Sequence, residues 1–338
     1  MMAKQYLDVL IKDLNKDDLI VDSVYIGGGS PSSLDNLQFE ELLKNARLHY
    51  SNKGQFCVEI NPEDMNDEKI ALLKKYDVNR VSIGVQTFNE QLLRKLNRHH
   101  DELMVRNVVN KLKNIGINNI NCDLIYGLPN EINQNLKEDL DKLISLNIPH
   151  ISTYALQVED NTLFSIKKIE ALDDDLQAEQ YDFICNYLNK AGFDHYEISN
   201  FAKKGYESMQ NLLYWKAKEY RGVGVASSGY ESDVRYDTSY SLTSYIKGNI
   251  NKNEHKLSIL EKEFEYIMLN LRLKDGIDLK EYQIIFKYDF LSRFEKELKE
   301  LLNNKLLIKE NNRIFIPENK FFISNSIISK LLVNIDYL

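Results

Sequence analysis

The chain is short of cysteine, of proline and of net positive charge, and each shortage closes off a class of function. Its three cysteines, Cys57, Cys122 and Cys185, stand 65 and 63 residues apart. That spacing is neither a disulfide framework nor a metal loop, because cluster ligation needs thiolates a few residues apart on one turn. Scattered free thiols suit a reducing, cytoplasmic setting. With 43 Lys and Arg against 51 Asp and Glu, the net charge is −8. A general nucleic-acid binder is disfavoured, since phosphate affinity rests on cationic side chains. No apolar run reaches the length of a membrane span, and the opening Met1-Met2-Ala3-Lys4-Gln5-Tyr6 lacks a signal peptide's apolar region. Only 5 Pro and 14 Gly in 338 residues leave no low-complexity linker.

What is present is an alternation. After a helix whose apolar face is Tyr6, Leu7, Val9, Leu10, Ile11 and Leu14, short apolar strands are expected at 23–26, 55–60, 80–85, 120–125 and 150–156. Amphipathic helices fall between them at 36–49, 66–76, 89–96, 102–115 and 133–146. Alternating strands and helices at this spacing make a parallel sheet with helices outside it. Polar and glycine residues recur at the carboxyl end of each strand: 27–30, 59–62, Gln86, Asp123 and Gln157. Barrel enzymes build their sites on that rim. Five strands do not close such a barrel, and a helix stands where a first strand belongs. The strand at 23–26 is therefore expected to be an unpaired edge.

After about residue 160 the pattern changes. A helix at 174–191, a strand and turn at 192–202 and a glycine-rich string at 222–230 precede a module of three helices (259–273, 277–286, 290–304) and a hairpin (306–309, 313–316). That order resembles a winged helix. The expected division is a partial barrel at 1–160, its extension at 161–254 and a small C-terminal α+β domain at 255–338.

Read singly, the motifs have two explanations each. Gly27-Gly28-Gly29-Ser30-Pro31 serves either as a tight strand-to-helix turn or as a backbone that a ligand approaches closely. Glu59 and Asp123 suit hydroxyl and ammonium donors, or a neighbouring arginine such as Arg80 or Arg98. Trp215, the only tryptophan, is a packing anchor or a face for a flat ligand. His99 and His100 diverge and read as solvated loop. The cysteines read as small buried hydrophobes. Asp278, Glu281, Glu295, Glu297 and Glu300 make the winged module too acidic for DNA, leaving a lid or partner-docking role.

Taken in order, Gly27-Gly28-Gly29-Ser30-Pro31, Glu59-Ile60-Asn61-Pro62, Asn79-Arg80-Val81-Ser82-Ile83-Gly84-Val85-Gln86, Asp123-Leu124-Ile125-Tyr126-Gly127-Leu128-Pro129, Tyr196-Glu197-Ile198-Ser199-Asn200-Phe201-Ala202 and Asn211-Leu212-Leu213-Tyr214-Trp215 resemble the oxygen-independent coproporphyrinogen III oxidase group of radical S-adenosylmethionine proteins. Within that group the sequence is most similar to the HemW-type haem-chaperone branch. The resemblance implies a (β/α)6 TIM-like barrel, here lacking its first strand, with S-adenosylmethionine contacted by Gly28, Gly29, Ser30, Glu59, Gln86, Arg98, Asp123 and Ala155. It implies haem near Asn211, Tyr214 and Trp215, a haem-acceptor protein, and a role in haem or porphyrin metabolism as chaperone or, alternatively, as coproporphyrinogen dehydrogenase. It further implies a [4Fe–4S] cluster held by a Cys-x3-Cys-x2-Cys loop, a few tens of residues before the helix that opens this chain. Both that loop and its strand are missing from the sequence. Either they are encoded upstream of Met1, or this is a haem binder or decayed enzyme without a cluster, and radical chemistry is not expected of the chain as written. Two further departures are Gln210, where the chaperone branch carries a His proposed to contact haem, and Ser228, where a His is frequent.

Overall fold

The computed structural model describes residues 2–158 and 170–333. The expected boundary between residues 160 and 161 and the last residues of the expected C-terminal domain lie outside them. Among the described residues no helix is long and apolar enough to cross a membrane. The chain divides into two compact units that are not contiguous in sequence. One comprises Asp18–His195 and Ser199–Ser208, the other Met1–Asp17, Tyr196–Ile198 and Met209–Leu338.

Helix α1 (Met2–Leu14) opens the chain, and the first unit then builds a parallel sheet from β1 (Val21–Ile26), β2 (Tyr50–Ile60), β3 (Arg80–Gln86), β4 (Asn119–Tyr126) and β5 (His150–Ala155). The strands lie side by side in sequence order. That order belongs to a barrel or part of one, because a doubly wound sheet reverses direction at a switch point. Helices α2 (Asn36–Arg47), α3 (Asp67–Lys75), α4 (Glu90–Lys95), α5 (Glu102–Asn114) and α6 (Asn133–Ser145) fill the crossovers. Asp35, Asn66, Asn89 and Asp101 cap four of them by accepting backbone N–H bonds in the first turn. After α7 (Asp174–Lys190), β6 (Asp194–Glu197) and β7 (Asn200–Ala202) extend the sheet, β7 running antiparallel to β5. Among the described residues strand β1 pairs with β2 alone, and none of its six residues is buried. It is an edge, as the sequence leads one to expect.

Alternation within the strands decides what each face of the sheet does. Phe56, Val58 and Ile60, Val81, Ile83 and Val85, Ile120, Cys122 and Leu124, and Ile151 are all buried. Between them stand Cys57, Glu59, Arg80, Ser82, Gly84, Asn121, Asp123, His150 and Ser152. Side chains alternate between faces along a strand, so one face is an apolar layer and the other is largely polar. TIM barrels ordinarily fill their interior with branched apolar residues. The largely polar face of this sheet departs from that pattern.

The second unit carries two small antiparallel sheets. After α8 (Met209–Trp215), strands β8 (Ser228–Glu231) and β9 (Val234–Thr238), helix α9 (Leu242–Ile246) and β10 (Lys252–Lys256) give a sheet of order β10-β9-β8. Sequence patterning gave no sign of it, since Lys252–Lys256 is polar and nearly all exposed. The C-terminal module contains α10 (Ile259–Asn270), β11 (Ile277–Asp278), α11 (Leu279–Phe286), α12 (Phe290–Arg293), α13 (Glu295–Asn303), β12 (Ile308–Glu310), β13 (Arg313–Phe315) and α14 (Ser324–Leu331). The expected helix at 290–304 is two pieces, and the one expected at 277–286 starts at Leu279. Residues 277–278 instead supply a strand pairing with β13. Winged domains carry such a strand, and the three-stranded sheet fits that description.

Candidate ligand site at the strand ends

The carboxyl ends of β1 to β4 gather most of the site residues expected from the sequence. Gly28 lies just beyond β1, and its N–H donates to Glu59 Oε2 at 3.3 Å. Glu59 Oε1 accepts from the Tyr25 hydroxyl at 2.6 Å. A Cβ at Gly27 would lie 2.5 Å from the Glu59 carboxyl carbon and 2.6 Å from the Tyr25 ring, so glycine there lets the two side chains cross the loop. Gly28, at φ +74°, and Gly29 are different: a Cβ on either meets nothing within 4 Å. The protein's own packing does not demand that openness, which leaves the backbone free for a ligand to approach.

Deeper in, Asp123 accepts from Ser82 Oγ at 3.1 Å and from Asn121 Nδ2 at 2.8 Å. Asn121 Nδ2 also reaches Ser82 Oγ and Ser152 Oγ, both at 2.8 Å. His150 Nδ1 donates to Asn121 Oδ1 at 2.6 Å. Burial and the Arg80 charge hold His150 well below its ordinary range, hence neutral. Burial raises the Asp123 carboxyl against the hydrogen bonds of Ser152, Asn121 and Ser82. Burial also raises Glu59, and the nearby Asp123 charge raises it further. Glu59 and Asp123, coupled through their charges, would both be stabilised by a neighbouring cation or hydroxyl donor.

Gln86 ends β3 at φ +66°, beside a register shift between Gly84 and Gln86. A left-handed conformation is costly for a residue with a side chain and is retained where the surroundings impose it. The loop is gripped on several sides. Arg98 Nη2 donates to Gly84 O and to Asn61 Oδ1, both at 2.7 Å. His100 Nε2 bonds Val85 O at 2.9 Å, and its Nδ1 lies 3.2 Å from Glu63 Oε2. Burial raises Glu63, yet the His100 bond and the Arg98 charge prevail and hold it at about 2. His100 is thus buried scaffold, correcting its reading as solvated loop; His99 is exposed. Arg98 reaches the rim from beyond α4, with Nη2 committed inside the protein. Ser30 Oγ accepts from Asn61 Nδ2 at 3.1 Å. Ala155 closes β5, half-exposed and paired in register with Tyr126.

Sequence reasoning missed Tyr25, Asn61, Ser82, Asn121 and Ser152. The strand alternation held a signal for the last three, which interrupt apolar runs at every second position. It missed Asp139 as well, a carboxylate on the apolar side of α6 beside Leu136, Leu140 and Leu143. Cys57 and Cys122 are buried; burial pushes the first thiol up to about 12 and the second well above its ordinary value. Neither is a thiolate ready to bind metal. Among the described residues no group of three His, Cys, Asp or Glu could hold a metal ion.

The candidate haem residues lie in the second unit. Asn211 is half-buried and Tyr214 exposed, its ring 4.6 Å from Tyr220. The Arg272 guanidinium stands 5.5 Å from the Trp215 ring centre. Gln210 is buried.

Residues 4–143 match the Radical SAM superfamily and residues 257–320 the HemN C-terminal domain. The chain is 36% identical to the heme chaperone HemW of Lactococcus lactis, over 97% of this chain and 89% of that protein. It is 31% identical to HemW of Bacillus subtilis, over 92% and 85%. The fold superposes on coproporphyrinogen III oxidase (HemN) from Escherichia coli with a TM-score of 0.85 at 20% identity, covering 99% of this chain and 84% of that one.

Proposed function

Because the chain belongs to the HemW heme-chaperone family of radical SAM proteins, we propose that it binds S-adenosylmethionine on the strand-end rim and delivers haem to an acceptor protein. The polar inner face of the sheet carries this reading. Gly28 and Gly29 offer open backbone, Glu59 and Asp123 offer acceptors to ammonium and hydroxyl groups, and Gln86 offers a carboxamide at the strand end. Arg98 and Ser30 complete the rim, with Ala155 bordering it at the end of β5. Bound there, S-adenosylmethionine supplies a sulfonium-activated adenosyl group. In the second unit, Tyr214 and Trp215 offer aromatic faces and Asn211 a polar contact to a tetrapyrrole. Membership of the radical SAM superfamily implies a [4Fe–4S] cluster beside S-adenosylmethionine, and no step of this reading is routed through it. A cytoplasmic location belongs to the same proposal.

Two titrations test it. Calorimetry with S-adenosylmethionine should give saturable one-site binding, weakened about tenfold by Gln86→Ala, the loss of roughly one hydrogen bond to a charged ligand. Haemin added to the purified chain should shift its Soret band, and less so in Trp215→Ala. A folded chain that binds neither ligand would overturn the reading.

A further inference from the structure

Gln86 has its unusual backbone conformation at the point where three elements hold the residues around it. Behind it, Asp139 is 1% exposed and faces the loop that follows β3. Its Oδ2 accepts from Thr87 Oγ1 at 2.6 Å and its Oδ1 from Phe88 N at 2.8 Å. Thr87 N in turn donates to Val85 O at 2.8 Å, and Asn89 N to Thr87 Oγ1 at 3.0 Å. One buried carboxylate on α6 therefore grips both residues after Gln86. Arg98 and His100 grip the carbonyls of the two residues before it. A buried carboxylate is expensive unless its hydrogen bonds compensate, and neither of these acceptor atoms serves α6 itself. The cost is borne for the loop.

We propose that Asp139 is a positioning residue for ligand binding: through Thr87 and Phe88 it fixes the left-handed turn that aims the Gln86 carboxamide at the ligand. The inference rests on the reading that Gln86 contacts S-adenosylmethionine. Asp139 itself touches no ligand. Its effect must pass through Gln86, which distinguishes it from a residue that merely stabilises the fold.

A double-mutant cycle read by calorimetry with S-adenosylmethionine tests this. Gln86→Ala should weaken binding about tenfold and Asp139→Asn about fivefold, because asparagine keeps one acceptor and loses the other. In the Gln86→Ala background, Asp139→Asn should change affinity less than about twofold. Thr87→Val, which deletes one of the two gripped donors, should behave likewise and serves if Asp139→Asn does not fold. Additive losses in the double variant would overturn the positioning role while leaving the ligand site intact. An unchanged affinity in Gln86→Ala alone would instead overturn the ligand assignment on which it stands.

Discussion

At Gly27 and Gly28 neighbouring glycines serve different ends. Alanine at Gly27 drives a Cβ into Glu59 and Tyr25, so the Tyr25–Glu59 bond must open. Alanine at Gly28 meets no atom and suffers only the left-handed φ, at about 1 kcal/mol. Thermal melts should show that modest loss for Gly28→Ala. If S-adenosylmethionine occupies the open space, its affinity should fall well beyond the stability loss; unchanged affinity would place the ligand elsewhere. Glu131 gives a second test. It is buried, and its Oε2 accepts from Gly127 N at 2.9 Å and from Leu128 N at 3.4 Å. Burial pushes its carboxyl up to about 7. The folded state thus holds the proton more tightly than the unfolded chain, whose glutamates titrate near about 4.3. The stability from this group is full below that value and is lost as pH rises towards 7. Glu131→Gln removes the titration while keeping an acceptor for the backbone. Denaturant unfolding should show the variant gaining about 3 kcal/mol on the wild type between pH 4.5 and 8. A gap independent of pH would mean that Glu131 ionises normally.

Among the elements, β1 and β3 occupy opposite extremes. Six of the seven residues of β3 are buried between paired strands, whereas β1 is an edge with no buried residue. Exposed backbone hydrogen bonds open first, so amide exchange in β1 should outpace that in β3 by more than about tenfold. Equal protection would show that another segment or a second copy covers the edge. The same contrast explains what was legible. Strands β3 and β4 are apolar at every second position and bounded by helix caps, so their extents follow from residue order. Strand β10 is almost wholly charged or polar, held by pairing with β9, and no periodicity betrays it. Helices α12 and α13 part at Phe294, a buried aromatic whose neighbours are helix formers, so their sequence read as one helix.

On the scale of the whole molecule, a ligand at the rim should leave a local footprint. Saturation with S-adenosylmethionine should slow exchange in segments 27–31, 59–62 and 84–88. At one hundred times the dissociation constant the linked stabilisation is about 2.7 kcal/mol. A footprint confined to residues 209–258 would contradict the rim assignment. Residue order by itself determined the alternation of strands and helices, the rim motifs and the edge at β1, because hydrophobic periodicity and capping are local. It also placed Glu59 and Gln86 at strand ends, whereas Asp123, expected there too, lies inside β4, three residues before its end. Only the tertiary structure decided that Arg98 reaches back to Gly84, that His100 is buried against Val85 and Glu63, and that Asp139 leaves the apolar side of its helix to hold Thr87 and Phe88. Those contacts join residues 14 to 52 positions apart. Nothing in local periodicity specifies such a pairing; it exists only once parallel strands and their crossover helices have closed around one buried carboxylate.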